Sequence, residues 1–345
     1  MSISIEIATD QVAWDDYVSR HPQGSPYHKY AWLQSVEEAY QHQNIGLIAT
    51  QDNKIVGVLP CVAMARPFAK TKFCALPFCD IGHAIADNQD IVNALQHHAL
   101  NLLAIRKGQV FEYRDTELNI TEQQIASQKV RMLMALPESS AALLDGFKSK
   151  LRSQIRKSEK NGLTCTINNN QQAIDNFYLI FAKNMRKLGS PVHSKIWFES
   201  LFKHYKDDIF LGIVYKQSTP TGAGIIIRNK HKFAIPWAST DADFNYLAPN
   251  MMLYWSLLKH ACDVGGSEFD FGRSTFGEGT YKFKQQWGAE PVPLVWSDLA
   301  SQISDQNAAV VEKSQLRALV EAVWSRLPLG LTTTLGPQLR KHISL

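Results

Sequence analysis

An internal repeat constrains the fold of this 345-residue chain more strongly than its composition does. Each half contains a predicted β-hairpin that begins with a glycine-containing apolar segment, at 45–48 (IGLI) in the first half and at 211–214 (LGIV) in the second. Further along, each half has an amphipathic helix, a glycine and a strand, and 108–113 (GQVFEY) aligns without gaps on 266–271 (GSEFDF). The shared order and similar spacing predict duplication of one α+β unit, in which helices flank a mixed sheet. A chance match of short apolar segments is the alternative.

Length and composition agree with a globular protein built from two such units. Hydrophobic residues make up 45% of the chain and charged residues 20%. We predict domains at 1–138 and 139–300, followed by a C-terminal helix and tail at 301–345. The five cysteines include no C-x-x-C pair, which argues against a disulfide framework and against a structural zinc site. The start of the chain has no signal-peptide pattern, and no apolar run is long enough to span a membrane, so we predict a cytoplasmic protein.

Three segments carry a clear apolar pattern. It predicts one strand over 54–64, one helix over 139–160, and a helix from Ser301 to about Leu327. Beyond Leu327, Pro328, Gly330, Gly336 and Pro337 predict an irregular tail.

The stretch from Gly265 to Gly288 predicts a strand, a glycine-rich turn and a short helix. The strand alternates polar and aromatic residues, and the turn carries Arg273 and Ser274. The helix that comes next carries aromatic and cationic residues, namely Tyr281, Lys282, Phe283, Lys284 and Trp287. A strand that ends in a flexible, cationic turn favours anion binding. The alternative is a tight corner whose lysines are simply solvated.

The predicted helix 139–160 carries two neighbouring stripes. Residues four apart form an apolar stripe of Leu143, Phe147, Leu151 and Ile155, and a basic stripe of Lys148, Arg152, Arg156 and Lys160. Like charges at this spacing cost about a few tenths of a kcal/mol per pair, so four in a row favour contact with an anion. We expect Arg152 and Arg156 to bind phosphates of a nucleotide-linked precursor or of tRNA. A solvated helix face is the alternative.

The segment 269–288 (FDFGRSTFGEGTYKFKQQWG) resembles the signature of FemAB-type proteins, particularly the branch associated with exosortase (PEP-CTERM) and exopolysaccharide systems. Segments 113–118 (YRDTEL), 184–192 (NMRKLGSPV), 236–239 (PWAS) and 248–255 (APNMMLYW) also resemble that family. The resemblance covers about 10–300 and implies two tandem acetyltransferase-like (GNAT) domains. The best-known members of the family move an amino acid from aminoacyl-tRNA onto a peptidoglycan precursor. This chain lacks the long helical hairpin of the tRNA-using members, so the resemblance leaves the donor open.

The resemblance makes Lys284 important for catalysis, and we assign it stabilisation of the oxyanion that forms during acyl transfer. We expect Arg273 and Lys282 to hold phosphate or carboxylate groups. Asp270 could orient Arg273 or act as a base, with a plain salt bridge as the alternative.

Other predicted substrate-binding residues lie in the strand–turn–helix stretch and in the segments of resemblance, namely Ser274, Tyr281, Trp237, Ser239 and Arg186. For the aromatic residues among them, core packing is the alternative. The histidines show no ligand set in register, so we predict no metal site.

The sequence therefore predicts an acyl- or aminoacyl-transferase acting on a phosphate-bearing cell-envelope or exopolysaccharide precursor, with a sugar- or lipid-linked acceptor and no tightly bound cofactor. The donor is aminoacyl-tRNA or acyl-CoA, and we expect no DNA partner. A CoA-dependent N-acyltransferase and a non-catalytic glycan-binding member of an export system are the alternatives. The C-terminal helix has a broad apolar face, and a basic end follows it (Arg340, Lys341, His342). We expect this helix to pack on the protein body, and peripheral contact with the inner face of a membrane is the alternative.

Overall fold

A computed structural model describes residues 3–66, 69–116, 129–301 and 315–345. The strands of the first half are β1 (Ser4–Ile7), β2 (Gln43–Asn44), β3 (Leu47–Gln51), β4 (Lys54–Leu59), β5 (Val62–Arg66), β6 (Ala69–Cys74), β7 (Ile85–Ala86), β8 (Phe111–Thr116) and β9 (Lys129–Ala135). Its helices are α1 (Gln11–Arg20), α2 (Tyr30–Tyr40) and α3 (Gln89–Ile105). As its N-cap, Asp10 starts α1, because its carboxylate accepts hydrogen bonds from the N–H groups of Val12 and Ala13.

The second half follows the same alternation of helices and strands. Its strands are β10 (Leu163–Ile167), β11 (Ile209–Lys216), β12 (Thr219–Asn229), β13 (Lys232–Thr240), β14 (Glu268–Thr275) and β15 (Glu290–Asp298). Its helices are α4 (Ser140–Gly146), α5 (Ser149–Lys160), α6 (Gln171–Lys187), α7 (Lys195–Tyr205), α8 (Pro249–Asp263), α9 (Gly279–Gln285), α10 (Gln315–Arg326) and α11 (Leu329–Arg340).

Among the described residues, the strands form two sheets. A four-stranded sheet has the order β1-β3-β4-β7, and an eleven-stranded sheet has the order β10-β11-β12-β13-β14-β9-β15-β8-β6-β5-β2. The larger sheet therefore runs through both halves, and β9 and β15 join them. β9 precedes residue 138 but pairs with β14 of the second half, so the sheet shows no break at this position. The domain boundaries at 138 and 300 stay predictions.

The repeat appears as one parallel strand pair in each half. In the first half β6 and β8 pair in parallel, with Phe73 opposite Phe111. In the second half β13 and β14 pair in parallel, with Phe233 opposite Phe269. A long helix connects the two strands of each pair, α3 in the first half and α8 in the second. The two segments that align in sequence thus hold equivalent places, which is the predicted α+β duplication.

Helices cover both faces of the sheet in the second half. Alternate residues of β12 point to opposite faces, so Ala223, Ile225 and Ile227 share a core with α6 and α7. Ile226, on the other face, shares a core with α8 and with α5. The basic helix α5 therefore lies on the opposite face of the sheet from α6.

Two predicted elements are interrupted in the structure. The predicted strand 54–64 is two strands, because Pro60 has no N–H to donate to a ladder and the chain passes there from the small sheet to the large one. The predicted helix 139–160 is two helices, because the backbone of Phe147 is extended after Gly146. The predicted apolar stripe is nevertheless buried along both helices, and Phe147 packs edge-on against Trp287 at 5.5 Å.

The prediction of an irregular tail after Leu327 is wrong, because residues 329–340 form α11. The helix contains Pro337, whose cost is offset by packing against α6. At Gly336 the helix comes so close to Val192 that an added Cβ would lie 2.9 Å from the Val192 nitrogen. A glycine that looked like a helix breaker in the sequence therefore permits helix docking. The predicted helix after Ser301 lies partly outside the described residues, which resume at α10.

Candidate active site

The main candidate site is a cavity of about 370 Å³ where β13 and β14 separate. The two strands pair only from Lys232 to Ala234 and from Glu268 to Asp270, and they diverge beyond these residues. The cavity walls come from both halves of the chain, with Tyr27, Phe78, Cys79 and Asp80 from the first half and Phe181, Met185, His193, Ile235, Pro236, Trp237, Ala238, Tyr254, Phe271, Gly272, Arg273, Thr280, Lys284, Arg340 and Leu345 from the remainder. The gap between the diverging strands leaves backbone and side-chain polar groups facing a partly apolar space, which is common in ligand sites.

Lys284 lies in the wall of this cavity and is 8% exposed. The short helix α9 carries it back toward the end of β14, where Nζ donates hydrogen bonds to the carbonyl oxygens of Gly272 at 3.0 Å and Arg273 at 2.8 Å. Burial lowers the pKa of Lys284 to about 8, while Asp270 and Asp80 act to raise it. An ammonium group has three N–H donors, so the two carbonyls fix its position and leave one donor for a substrate oxygen.

Asp270 is buried beneath the turn and is paired with Arg131. Its Oδ2 accepts from Arg131 Nη2 at 2.9 Å and from Nε at 3.2 Å, and its Oδ1 accepts from the Gly272 N–H at 2.8 Å. The sequence left a salt bridge open as the alternative to a base or to a partner of Arg273, and the structure shows this salt bridge. Since Gly272 has a φ of +71°, the contact holds a left-handed turn whose carbonyl accepts from Lys284.

Arg273 is oriented by Asp80, a first-half residue that the sequence analysis did not single out. Asp80 Oδ2 accepts from the Arg273 N–H at 3.0 Å, and its Oδ1 lies 3.6 Å from Arg273 Nε. The Arg273 guanidinium also stacks over the Trp296 ring at 5.0 Å, and Trp296 Nε1 donates to the Asp80 carbonyl at 3.0 Å. This cluster places the Arg273 cation at the cavity with its charge partly balanced.

The structure brings Trp237 to the cavity, stacked on Trp32 at 5.7 Å, but it places three other predicted residues elsewhere. Tyr281 is buried against Phe276, and Lys282 is exposed on the opposite side of α9 from Lys284. Ser274 is 3% exposed, and its Oγ has no hydrogen-bond partner among the described residues. None of these three lines the cavity, so substrate binding by Tyr281, Lys282 and Ser274 stays a prediction.

Ser239 and Arg186 lie in two spaces that neighbour the cavity. A smaller space of about 180 Å³ contains Ser239 and the first turn of α8, and it shares Ala238 and Tyr254 with the main cavity. It also shares Asn184 and Thr240 with a groove of about 560 Å³ that Lys183, Arg186 and Lys187 line. We call this second space the basic groove. Lys183 is paired there with Asp241 at 2.8 Å, whereas Arg186 Nε is buried without a partner among the described residues.

Arg152 and Arg156 are remote from these spaces, on α5. Arg152 Nη1 donates to the Asp145 carbonyl at 3.1 Å, and Arg156 is exposed. Neither residue lines the cavity or the basic groove, so their expected contact with phosphates of a precursor or of tRNA stays a prediction.

The C-terminal helix α11 supplies a residue of its basic end to the cavity wall. Arg340 lines the cavity, and its Nε donates to His193 Nε2 at 3.0 Å. The exposed leucines of α11, Leu331, Leu335 and Leu339, face away from the body. Within the described ranges no group of three or more His, Cys, Asp and Glu residues is placed to hold a metal ion, and no helix combines the length and apolarity needed to cross a bilayer.

Comparison with known protein families agrees with an acyltransferase site in the second half of the chain. The family described as "Acetyltransferase (GNAT) domain" matches residues 146–285. No curated protein matches the chain.

Solved structures extend the likeness over most of the chain. The crystal structure of FemX superposes with a TM-score of 0.67 at 14% identity, covering 89% of this chain and 100% of FemX. L-PGS from Bacillus licheniformis gives a TM-score of 0.54 at 9% identity over 99% of both chains. A conserved protein of unknown function from Bacteroides thetaiotaomicron gives 0.58 at 9% identity, over 86% of this chain and 100% of that one. The predicted fold class is confirmed: residues 146–285 match the acetyltransferase (GNAT) domain family, and most of the chain has the fold of FemX, which agrees with the resemblance to FemAB-type proteins.

Proposed function

We propose that this acyltransferase moves an acyl or aminoacyl group onto an amine or hydroxyl of a phosphate-bearing precursor of the cell envelope or of an exopolysaccharide. The acceptor attacks the carbonyl carbon of the bound donor directly. The new C–N or C–O bond forms as the bond to the donor's oxygen or sulfur breaks, and the acceptor's proton leaves with that departing atom.

The observation that carries this proposal is the position of the Lys284 ammonium. Two backbone carbonyls hold Nζ in the cavity wall, and its remaining donor is available to the carbonyl oxygen on which negative charge develops. A donor fixed in a water-poor site stabilises such charge without reorganising during the reaction. Because its pKa is about 8, Lys284 is mostly protonated at pH 7, as this role requires.

The charges around the cavity support a substrate that carries phosphate. Arg273 lies in the cavity wall, and the basic groove adds Arg186 and Lys187 beyond the small space that borders both. Arginine suits phosphate because its planar fork can donate two parallel hydrogen bonds. A precursor could therefore react at Lys284 while a phosphate some distance away contacts the basic groove.

The donor is aminoacyl-tRNA or acyl-CoA, and one observation favours each. The exposed basic face of α5 offers contact with tRNA phosphates, which would place the nucleic acid on the face of the sheet that α8 covers. For acyl-CoA, the first turn of α8 borders the space next to the main cavity. The N-cap residue Ala248 makes no side-chain cap there, although Asn250 Oδ1 accepts from the Met251 N–H at 3.0 Å. The helix begins Ala248-Pro249-Asn250, without the glycines that usually let backbone approach a pyrophosphate.

Mass spectrometry of what copurifies with the protein tests the donor. Copurified RNA supports aminoacyl-tRNA, and copurified CoA supports the N-acyltransferase alternative. The donor found in this way is then used in a transfer assay with Lys284→Ala, and with Lys54→Ala as a control at an exposed first-half lysine.

We expect Lys284→Ala to fold and to bind the precursor but to lose transfer by about a hundredfold or more, since removing one oxyanion donor has effects of roughly that size. Lys54→Ala should transfer as wild type does. A wild-type protein that binds glycan but transfers no acyl group from either donor would instead support the non-catalytic alternative.

A further inference from the structure

We propose that Arg340 binds an anionic oxygen group of the substrate, a phosphate or a carboxylate, inside the main cavity. This proposal rests on the proposed function, because it names a contact for the substrate of the same site. It gives α11 a part in substrate binding in addition to packing on the protein body.

The contacts of Arg340 hold its guanidinium at one edge. Nε donates to His193 Nε2, and the group lies over the Phe78 ring at 5.7 Å from its centre. Because Nε2 of His193 accepts, the proton of the neutral ring is on Nδ1, which lies 2.7 Å from Tyr40 Oη. Burial lowers the pKa of His193 well below its ordinary value, and the Arg340 charge lowers it further, so the ring stays neutral and keeps accepting from Arg340.

The other edge of the guanidinium faces the cavity without a counter-charge. The two terminal nitrogens make no hydrogen bond to the described residues, and no carboxylate among those residues lies within 4.0 Å of the group. In the same cavity wall, Lys284 contacts only carbonyl oxygens, and Asp80 is already engaged with Arg273. Leu345, the last residue, also lines the cavity and carries the terminal carboxylate. The wall therefore holds three cationic side chains against two carboxylates, those of Asp80 and Leu345.

Arg340 is half-buried, and its terminal nitrogens open to the cavity without a protein partner, so an anionic ligand there would gain charge-assisted hydrogen bonds. Burial, together with the charges of Arg114 and Arg273, lowers the pKa of Arg340 to about 10, while Tyr40 acts to raise it. The two free terminal nitrogens of a guanidinium match the spacing of two oxygens of a phosphate or carboxylate, which gives bidentate binding. The chemistry of the site therefore favours an anion.

The backbone around Arg340 is fixed before any ligand binds. The Phe78 N–H donates to the Ser344 carbonyl at 2.6 Å, and Lys72 Nζ donates to Ser344 Oγ at 3.0 Å. Phe78 itself has a φ of +70°, a left-handed conformation that is costly for a bulky residue. Positions that hold such strain are concentrated at functional sites, and here the strained residue supports the ring under Arg340.

The test is calorimetric titration of the full chain with inorganic phosphate, pyrophosphate and succinate at constant ionic strength. Wild type, Arg340→Gln, Arg340→Lys and the control Arg326→Gln, at an exposed arginine of α10, are compared. We expect Arg340→Gln to weaken binding of the preferred probe about tenfold or more, Arg340→Lys to weaken it less, and Arg326→Gln to leave it unchanged. Preference for pyrophosphate assigns a phosphate ligand, and preference for succinate assigns a carboxylate.

Wild-type affinity in Arg340→Gln, or no binding of any probe to wild type, would overturn the proposal. If Arg340→Gln does not fold, the affinity of Arg340→Lys tests the proposal instead, because lysine keeps the charge and loses the two terminal nitrogens that bind two oxygens at once. A purely structural role would change the melting temperature without changing the shift that the preferred anion adds to it. The measurement needs no turnover, so anion binding that depends on Arg340 in a protein without transferase activity would refute only the proposed function.

Discussion

Replacing Asp270 by asparagine would remove the charge that balances Arg131 under the active-site turn. Arg131 is 9% exposed and donates two hydrogen bonds to one oxygen of Asp270, so its charge would stay buried without a partner. Breaking a buried ion pair from one side typically costs about 3–5 kcal/mol. Asparagine keeps the size of the side chain and can still accept from the Gly272 N–H, so we expect a loss of about 3 kcal/mol in the free energy of unfolding.

Urea-induced unfolding followed by tryptophan fluorescence measures this loss, and the exposed pair Arg20–Asp16 provides the matched control. Asp16→Asn should cost less than about 1 kcal/mol, because exposed pairs contribute little. In the double variant Arg131→Met, Asp270→Leu, much of the lost stability should return, since no unpaired charge remains. If Asp270→Asn leaves stability unchanged and still abolishes transfer, Asp270 acts as a base and the positioning role is refuted.

Three further predictions concern charge, nucleic acid and membranes. Burial lowers the pKa of Lys284 from 10.5 to about 8, so between these pH values the unfolded chain binds more protons than the folded protein. The destabilising effect of Lys284 therefore declines as pH rises, and in urea titrations the gain in the free energy of unfolding from Lys284→Met should be larger at pH 7 than at pH 10. A gain that does not depend on pH would contradict this. Combined Arg156→Gln, Lys157→Gln and Lys160→Gln substitutions on α5 should weaken tRNA binding. They should also reduce the slope of log affinity against log salt concentration by about 2 to 3. An unchanged slope would exclude this face of α5 as the tRNA-binding surface. Combined Leu331→Ser, Leu335→Ser and Leu339→Ser substitutions should reduce cosedimentation with phosphatidylglycerol–phosphatidylcholine vesicles about tenfold relative to wild type and to Val12→Ser, and equal binding by all three proteins would exclude docking through α11.

The duplicated fold was predictable because its signals are local. Each strand of the repeat follows a helix and a glycine, and the two phenylalanines that align in sequence, Phe111 and Phe269, both pair with a parallel strand. The family resemblance singled out Lys284, which lies at the cavity. Lys282 is two residues away on the same helix and therefore lies on a different side. Residues two apart on a helix point to nearly opposite sides, so Lys282 could have been rejected from the sequence alone.

The partners of the site residues were not predictable, because they come from distant parts of the chain. Asp80 contacts Arg273 across 193 positions, Arg131 contacts Asp270 across 139, and Arg340 contacts His193 across 147. Such contacts depend on how the two halves pack and leave no periodic pattern. Arg340 is the clearest example, because its basic, glycine- and proline-rich surroundings are typical of an exposed tail, whereas packing of Gly336 against Val192 directs the helix end into the cavity.

The pH dependence of single-turnover acyl transfer is the most direct test of the role of Lys284, with the donor taken from the copurification experiment. We expect the wild-type rate to fall as pH rises through about 8, because the Lys284 ammonium loses its proton there. Lys284→Arg should transfer more slowly but should not show that decline, because an arginine keeps its charge at this pH. A Lys284→Met protein that transfers at the wild-type rate with the wild-type pH profile would show that Lys284 does not stabilise the reacting carbonyl.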